Sequence, residues 1–177
     1  PEGESMAIAH FNVVSAALAQ LDRKALDRLH NLVKQIRDRQ GVVWLCGNGG
    51  SFLTAQHWAL DLTKYAHTGA VALGSNPGLM TAVANDESFD TVFSLELQQW
   101  AKPGDLLICL SCSGTSANIR TVVSAAHEIG LTSVLLTGTV NDDVARADHI
   151  IRVWSQDYTV IEDCHSAIGH WLAKALR

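Results

Sequence analysis

Apolar positions recur at helical spacing through the first part of the chain. Between positions 6 and 39 leucine, valine and isoleucine return every three or four residues with charges between them, which predicts helix with a break near Asp22. Gly41 is predicted to end this helical segment. Beyond it the pattern changes to short apolar runs that alternate with longer amphipathic ones.

Five short apolar runs predict five strands: "VVWLC", "AVALG", "DLLICLS", "TSVLLTG" and "HIIRVW". The runs between and after them predict helices: "SFLTAQHWALDLTKYA", "GLMTAVAND", "TVFSLELQQWA", "SANIRTVVSAAHEIG", a short one in "DDVARA", and the closing "YTVIEDCHSAIGHWLAKAL". Strands that alternate with helices indicate an α/β fold with a parallel sheet covered on both faces. In such sheets ligands bind beyond the carboxyl ends of the strands.

Composition narrows the function classes. The chain has 177 residues, 47% hydrophobic and 18% charged, which is typical of one globular domain. Its formal charge of −5 and the lack of a basic stripe argue against a nucleic-acid partner. No apolar run is long enough to span a bilayer, and residues 1–14 lack the pattern of a signal peptide. We therefore expect no membrane partner and a cytoplasmic location.

Cys109 and Cys112 form a C-x-x-C pair that could bind zinc or act in redox chemistry. Cys109 lies inside a predicted buried strand, and the sequence has no second C-x-x-C to complete a zinc site. We interpret these cysteines as small apolar core residues.

Two glycine- and serine-rich turns each follow a predicted strand and lead into a helix. The first is Gly47–Ser51 and the second is Ser111–Ser116. Free N–H groups and the positive end of a helix dipole favour an anion at such a turn, so the pair predicts a phosphate cradle. The alternative is that Ser116 caps a helix and the other serines are ordinary turn residues. Neither turn matches G-x-G-x-x-G or a P-loop, so we expect no nicotinamide or nucleotide cofactor.

Histidines and carboxylates recur on two predicted helices. His57 and Asp61 stand four residues apart, about 40° around a helix. The last helix carries Glu162 and His170, which stand about 80° apart on the same geometry. These groups are suited to proton transfer in aldose–ketose isomerisation, or to holding Zn²⁺, or they face solvent with no role.

At these motifs the sequence resembles the sugar isomerase (SIS) domain family and, within it, the phosphoheptose isomerases. The resemblance rests on "CGNGGS", "AQHWALDL", "AVANDESF", "GDLLICLSCSGTSANI" and "VLLTG". It implies a three-layer α/β/α sandwich with a five-stranded parallel sheet, preceded by N-terminal helices. It also implies conversion of sedoheptulose 7-phosphate to a mannoheptose 7-phosphate, and a homotetramer with sites at subunit interfaces. We accordingly expect residues 1–40 to make oligomer contacts and residues 41–177 to bind the sugar phosphate.

The resemblance also implies roles for individual residues. Asp61 and His170 are expected to be catalytic, and Zn²⁺ is a possible cofactor on His57, Asp61, Glu162 and His170. The residues expected to contact the substrate are Asn48, Gly49, Gly50, Ser51, Asp86, Ser111, Cys112, Ser113, Ser116 and Glu162. Two positions depart from the family, because Asp61 replaces a glutamate and Glu162 replaces a glutamine.

These departures leave other functions open. One alternative is a non-catalytic tetramer of the same fold that binds a sugar phosphate or a protein, as relatives that associate with the bacterial replication initiator do. Another is isomerisation of a pentose or hexose phosphate, because the sequence does not determine the chain length of the sugar.

Overall fold

The computed structural model describes residues 6–177, so residues 1–5 of the predicted N-terminal segment lie outside the described residues. The strands are β1 Val42–Gly47, β2 Gly69–Ala72, β3 Leu106–Leu110, β4 Thr132–Thr137 and β5 His149–Arg152. The helices are α1 Met6–Ala19, α2 Arg23–Asp38, α3 Gly50–Ala66, α4 Pro77–Asp86, α5 Ser94–Trp100, α6 Ala117–Ile129 and α7 Tyr158–Ala175. Within the described range no helix combines the length and apolarity needed to cross a bilayer.

The five strands form one parallel sheet in the order β2-β1-β3-β4-β5. Two apolar clusters cover its faces. Helices α1, α2, α3 and α7 contribute to the cluster on one face, and α4, α5 and α6 contribute to the other. The predicted three-layer α/β/α sandwich with N-terminal helices is therefore confirmed.

The predicted break near Asp22 separates α1 from α2. The Asp22 side chain accepts a hydrogen bond from the Lys24 N–H at 2.9 Å and so caps the start of α2. Leu29, Val33 and Ile36 are the buried face of α2, as their spacing predicts.

The prediction of a short helix in residues 142–147 was wrong. This segment is irregular, and Val144 and Ala145 are buried in the core. The Ala145 N–H donates to the Gly114 carbonyl at 2.8 Å, so tertiary contacts replace helical hydrogen bonds there. The predicted helix "TVFSLELQQWA" is also shorter than expected, because a 3₁₀ turn at Phe89–Thr91 precedes α5.

All four cysteines are free thiols and all are buried. Cys46 and Cys109 are direct neighbours on adjacent strands, with their sulfur atoms 3.4 Å apart. Cys109 and Cys112 do not form a disulfide. The interpretation of the C-x-x-C pair as core residues is confirmed.

Helices α3 and α7 lie side by side on one face of the sheet. Trp58 of α3 packs onto Gly169 of α7, where even a methyl group would overlap the tryptophan ring. The Trp58 Nε1–H also donates to the His165 carbonyl at 3.1 Å. Because both helices follow parallel strands, they run in the same direction and their facing residues form a groove.

His165 is buried in this layer, and within the described residues neither of its ring nitrogens has a hydrogen-bond partner. Burial lowers the pKa of His165 from 6.5 to about 3. Between these values the unfolded chain binds a proton that the folded chain does not, so stability falls as the pH drops below about 6.5. We expect this histidine to remove about 2 kcal/mol from the free energy of unfolding between pH 7 and pH 5.

Urea unfolding of the wild type and of His165→Leu at pH 7 and pH 5 measures this effect. The His165→Leu variant should lose about 2 kcal/mol less than the wild type over this interval. The control His67→Asn, at an exposed histidine with a positive φ, should behave as the wild type does. Equal losses in the wild type and His165→Leu would contradict the assignment.

Candidate active site

Two strand-to-helix turns face each other at the carboxyl ends of the neighbouring strands β1 and β3. Gly47, at the end of β1, is close to β3, because a Cβ there would lie 2.8 Å from the Leu110 carbonyl oxygen. Gly49 has a φ of +55°, which favours glycine, and its carbonyl accepts the first bonds of α3. The turns enclose an open cleft of about 280 Å³, which we call the cradle. Its lining residues are Asn48, Gly49, Gly50, Ser51, Leu110, Ser111, Cys112, Ser113, Ser116, Tyr158 and Glu162.

The serine turn is held by its own hydroxyl groups. Ser111 Oγ accepts the Gly114 N–H at 3.1 Å, and Ser113 Oγ accepts the Thr115 hydroxyl at 3.2 Å. Ser116 occupies the N-cap position of α6, yet its side chain makes no capping hydrogen bond. The Ser116 hydroxyl is therefore available to a ligand at the start of the helix, where the dipole favours an anion.

A pair of asparagines joins the two turns. The Asn48 amide N–H donates to the Asn118 oxygen at 2.9 Å, and the Asn118 amide N–H donates back at 2.8 Å. Asn118 was not among the predicted site residues. Its only signal was its place in the first turn of α6, and sequence alone does not show that it pairs with Asn48. Tyr158, which also lines the cradle, was missed for the same reason.

Glu162 brings a carboxylate into the cradle. Its Oε1 would lie 2.7 Å from a Cβ on Gly50, so the glutamate is in contact with the backbone of the first turn. Burial and the nearby Glu162 carboxylate together raise the pKa of the Cys112 thiol to about 11. Cys112 therefore remains a neutral thiol at physiological pH and is not suited to act as a nucleophile.

A second cluster, which we call the His–Asp–His group, lies further along the same two helices. Asp61 Oδ2 is 3.6 Å from His57 Nε2 and 3.8 Å from His170 Nε2. The two imidazole rings meet edge to face with their centroids 5.0 Å apart. Asp61 is 7% exposed, whereas both histidines are exposed. A nearly buried carboxylate between two open imidazoles can exchange protons with a ligand or hold a cation.

The donor set of this group fits a zinc ion. One atom from each of the three side chains lies within 4.8 Å of the others. Two ligands of a tetrahedral zinc ion stand about 3.4 Å apart, which is close to the carboxylate–imidazole separations here. The fourth predicted ligand, Glu162, is not part of this group in the described chain. It lies two helical turns before His170, and its carboxylate contacts Gly50 instead.

Asp86 lies at the end of α4, where its Oδ1 accepts a hydrogen bond from the Asn85 side chain at 2.7 Å. Among the described residues it does not line the cradle. The other nine residues that were expected to contact substrate do line the cradle, and the structure brings three of the four expected metal ligands together.

Comparisons with known proteins agree with this fold. The sequence model of the SIS domain family matches residues 9–138. The phosphoheptose isomerase of Rhodospirillum rubrum is 41% identical over 138 residues, which are 75% of this chain and 73% of that protein. That of Mycobacterium tuberculosis is 40% identical over 138 residues, 75% of this chain and 70% of the other. The structure of a phosphoheptose isomerase from Neisseria gonorrhoeae superposes with a TM-score of 0.87, at 30% identity and 97% coverage of both chains.

Proposed function

The chain belongs to the SIS domain family, and on this premise we propose that it is a phosphoheptose isomerase that interconverts sedoheptulose 7-phosphate and D-glycero-D-manno-heptose 7-phosphate. The observation that carries the proposal is the placement of the cradle and the His–Asp–His group on the same pair of helices, α3 and α7. A phosphate at one end of this groove leaves the carbonyl end of an open-chain sugar near the other.

The cradle binds the phosphate mainly through neutral donors. Backbone N–H groups at the starts of α3 and α6 supply hydrogen bonds, and the dipoles of these helices favour the negative charge. The hydroxyl groups of Ser51, Ser111, Ser113 and Ser116 add further donors. Because no atom lies within 4 Å of where a Cβ would stand on Gly49, a phosphate can approach the backbone closely there.

Asp61 and His170 move the protons. Asp61 takes a proton from carbon 1 of the ketose and returns it to carbon 2 of the enediol. His170 transfers the proton of the carbon 1 hydroxyl to the oxygen on carbon 2, so that a carbonyl forms at carbon 1 and no atom is gained or lost. The low exposure of Asp61 supports its role, because a nearly buried carboxylate meets the substrate with little water competing for the same oxygen atoms.

We propose His57, Asp61 and His170 as ligands of a Zn²⁺ ion. Bound there, it would supply a positive charge that polarises the substrate carbonyl. His57, which is exposed and has no other assigned role, is the residue that this part of the proposal explains.

We expect the metal-free protein to bind one zinc ion, and His57→Ala to weaken this binding at least about a hundredfold. Competition with a chromogenic chelator measures the affinity. Glu162→Gln should change it little, because this carboxylate lies at the cradle. His127→Ala, at a histidine on α6 that pairs with Asp148 at 3.2 Å, is the matched control. Wild-type affinity in His57→Ala would contradict the three-residue site.

A homotetramer is also part of the proposal, with residues 1–40 as its contacts. Helix α1 exposes Met6, Ile8, Phe11 and Val13. On α3, Leu53 and Leu60 are exposed on either side of His57. Exposed apolar residues at this density are typical of surfaces that another subunit covers.

The four free thiols support the proposal of a reducing, cytoplasmic location.

A second candidate function is a non-catalytic protein of the same fold. Glu162 favours it, because a carboxylate in the cradle opposes a bound phosphate. The buried Asp61 between two histidines favours the enzyme, since a scaffold does not need this arrangement.

Exchange of substrate protons with solvent tests the choice between enzyme and scaffold. The protein is incubated with sedoheptulose 7-phosphate in deuterated water, with and without added zinc, and the sugar is followed by NMR. The enzyme should form the aldose and place deuterium on carbon 2. If neither the aldose nor deuterated sugar forms under either condition, the isomerase proposal fails.

A further inference from the structure

Two hydroxyl side chains lie between the cradle and the His–Asp–His group. Thr54 stands one turn beyond Gly50 on α3, and Ser166 stands one turn beyond Glu162 on α7. Both line a cavity of about 170 Å³ whose other lining residues include His57, Asp61 and His170. The cavity therefore connects this pair, which we call the Thr–Ser pair, with the group that moves the protons.

Both hydroxyls can accept a hydrogen bond from a ligand. Thr54 Oγ1 donates to the Gly50 carbonyl at 3.2 Å, which leaves its two acceptor lone pairs free. Within the part of the chain that the structure describes, no hydrogen bond forms at the Ser166 hydroxyl. Both residues are half-buried, so a ligand in the cavity would displace the water that surrounds them.

The helix geometry relates this pair to the length of a sugar. Glu162 and His170 are eight residues apart, about 12 Å along the helix axis, and Ser166 lies midway between them. In an extended heptulose phosphate the distance from carbon 2 to the phosphorus is about 9 Å. Side chains at the two ends cover the remaining length, so the middle carbons and their hydroxyls lie at the level of Ser166. A pentulose 5-phosphate is shorter by about 2.5 Å and cannot reach both ends in the same way.

We propose that Thr54 and Ser166 are specificity-determining residues that bind hydroxyl groups in the middle of the open-chain sugar phosphate. This inference rests on the proposed function and adds the residues that recognise the part of the substrate that does not react. Because these contacts form equally in the bound ketose and in the enediol, they lower KM and leave kcat nearly unchanged.

The test compares Thr54→Val, Ser166→Ala and the double variant in the isomerisation of sedoheptulose 7-phosphate. Each single variant should raise KM about fivefold and the double variant about twentyfold, with kcat within about twofold of the wild type. Thr54→Ser should restore the wild-type KM. The inhibition constant of inorganic phosphate, which occupies only the cradle, should not change in any variant.

Deoxy substrates separate recognition from a structural effect. The analogues lack the hydroxyl at carbon 4 or at carbon 5. On the analogue without the hydroxyl that a side chain binds, the single variant of that side chain should have the same KM as the wild type. Thr121→Val is the matched control for Thr54, because its hydroxyl also donates to the carbonyl four residues earlier. Ser124→Ala, at an exposed position on α6, is the control for Ser166.

The outcomes distinguish this inference from the function on which it rests. The role of the Thr–Ser pair alone would be overturned if the wild-type protein isomerises the heptulose phosphate and the double variant has a KM within about twofold of the wild-type value. A rise in KM of the same size with every deoxy analogue would also overturn it. A wild-type protein that turns over no heptulose phosphate overturns the proposed function and this inference together.

Discussion

Asp61→Asn should lower kcat for the isomerisation of sedoheptulose 7-phosphate about a thousandfold, with little change in KM. The amide has nearly the same shape as the carboxylate but cannot take a proton from carbon. The substrate should still bind, because the cradle, which is the proposed phosphate site, lies at the other end of the groove. Steady-state kinetics and deuterium incorporation at carbon 2 measure the loss.

The control for this variant is Asp27→Asn, at an exposed aspartate on α2. It should keep wild-type kinetics. Zinc content is measured for both variants, so that loss of the base can be separated from loss of the metal. If Asp61→Asn with wild-type zinc content keeps more than about a tenth of the wild-type kcat, Asp61 is not the base.

Gly169→Ala should destabilise the fold by about 3 kcal/mol. The added methyl group would overlap the Trp58 ring, and the two helices would have to separate at their closest contact. For a chain of this length the expected fall in Tm is about 6–12 °C. Thermal unfolding, followed by circular dichroism at equal protein concentrations, checks the value.

Gly78→Ala is a suitable comparison, because the nearest atom to its new methyl group is the end of the Asn76 side chain at 3.3 Å. It should change the free energy of unfolding by less than about 1 kcal/mol. A smaller side chain in place of Trp58 should make room for the added methyl group. The double variant Trp58→Leu with Gly169→Ala should therefore lose less free energy of unfolding than the sum of the two single-variant losses. If Gly169→Ala has the Tm of the wild type, the helices do not meet as described.

The same helix contact explains why this variant should also affect activity. Trp58 and Gly169 lie beside Asp61 and His170, the two residues that are proposed to move protons. A shift of about 1 Å between α3 and α7 would misplace one of these groups relative to the other, and proton transfer is sensitive to such displacements. The close packing of the helices thus supports both the fold and the geometry of the site.

Periodicity and turn chemistry gave most of the elements, because both are local properties of the chain. The five strands, the N-cap at Asp22 and the two glycine–serine turns each depend on neighbouring residues. The segment at 142–147 shows the limit of such patterns. Its composition permits a helix, but burial of Val144 and the bond from Ala145 to the serine turn require an irregular path.

The sequence by itself determined the α/β sandwich, the position of the cradle and the candidates for proton transfer, since each follows from spacing along one strand, turn or helix. Only the tertiary structure decided which candidates meet. It placed Glu162 at the Gly50 turn, paired Asn48 with Asn118, and brought His57 and His170 to the same carboxylate oxygen of Asp61. The reason is physical: how two helices pack, and where their side chains then point, depends on contacts between residues that are distant in sequence.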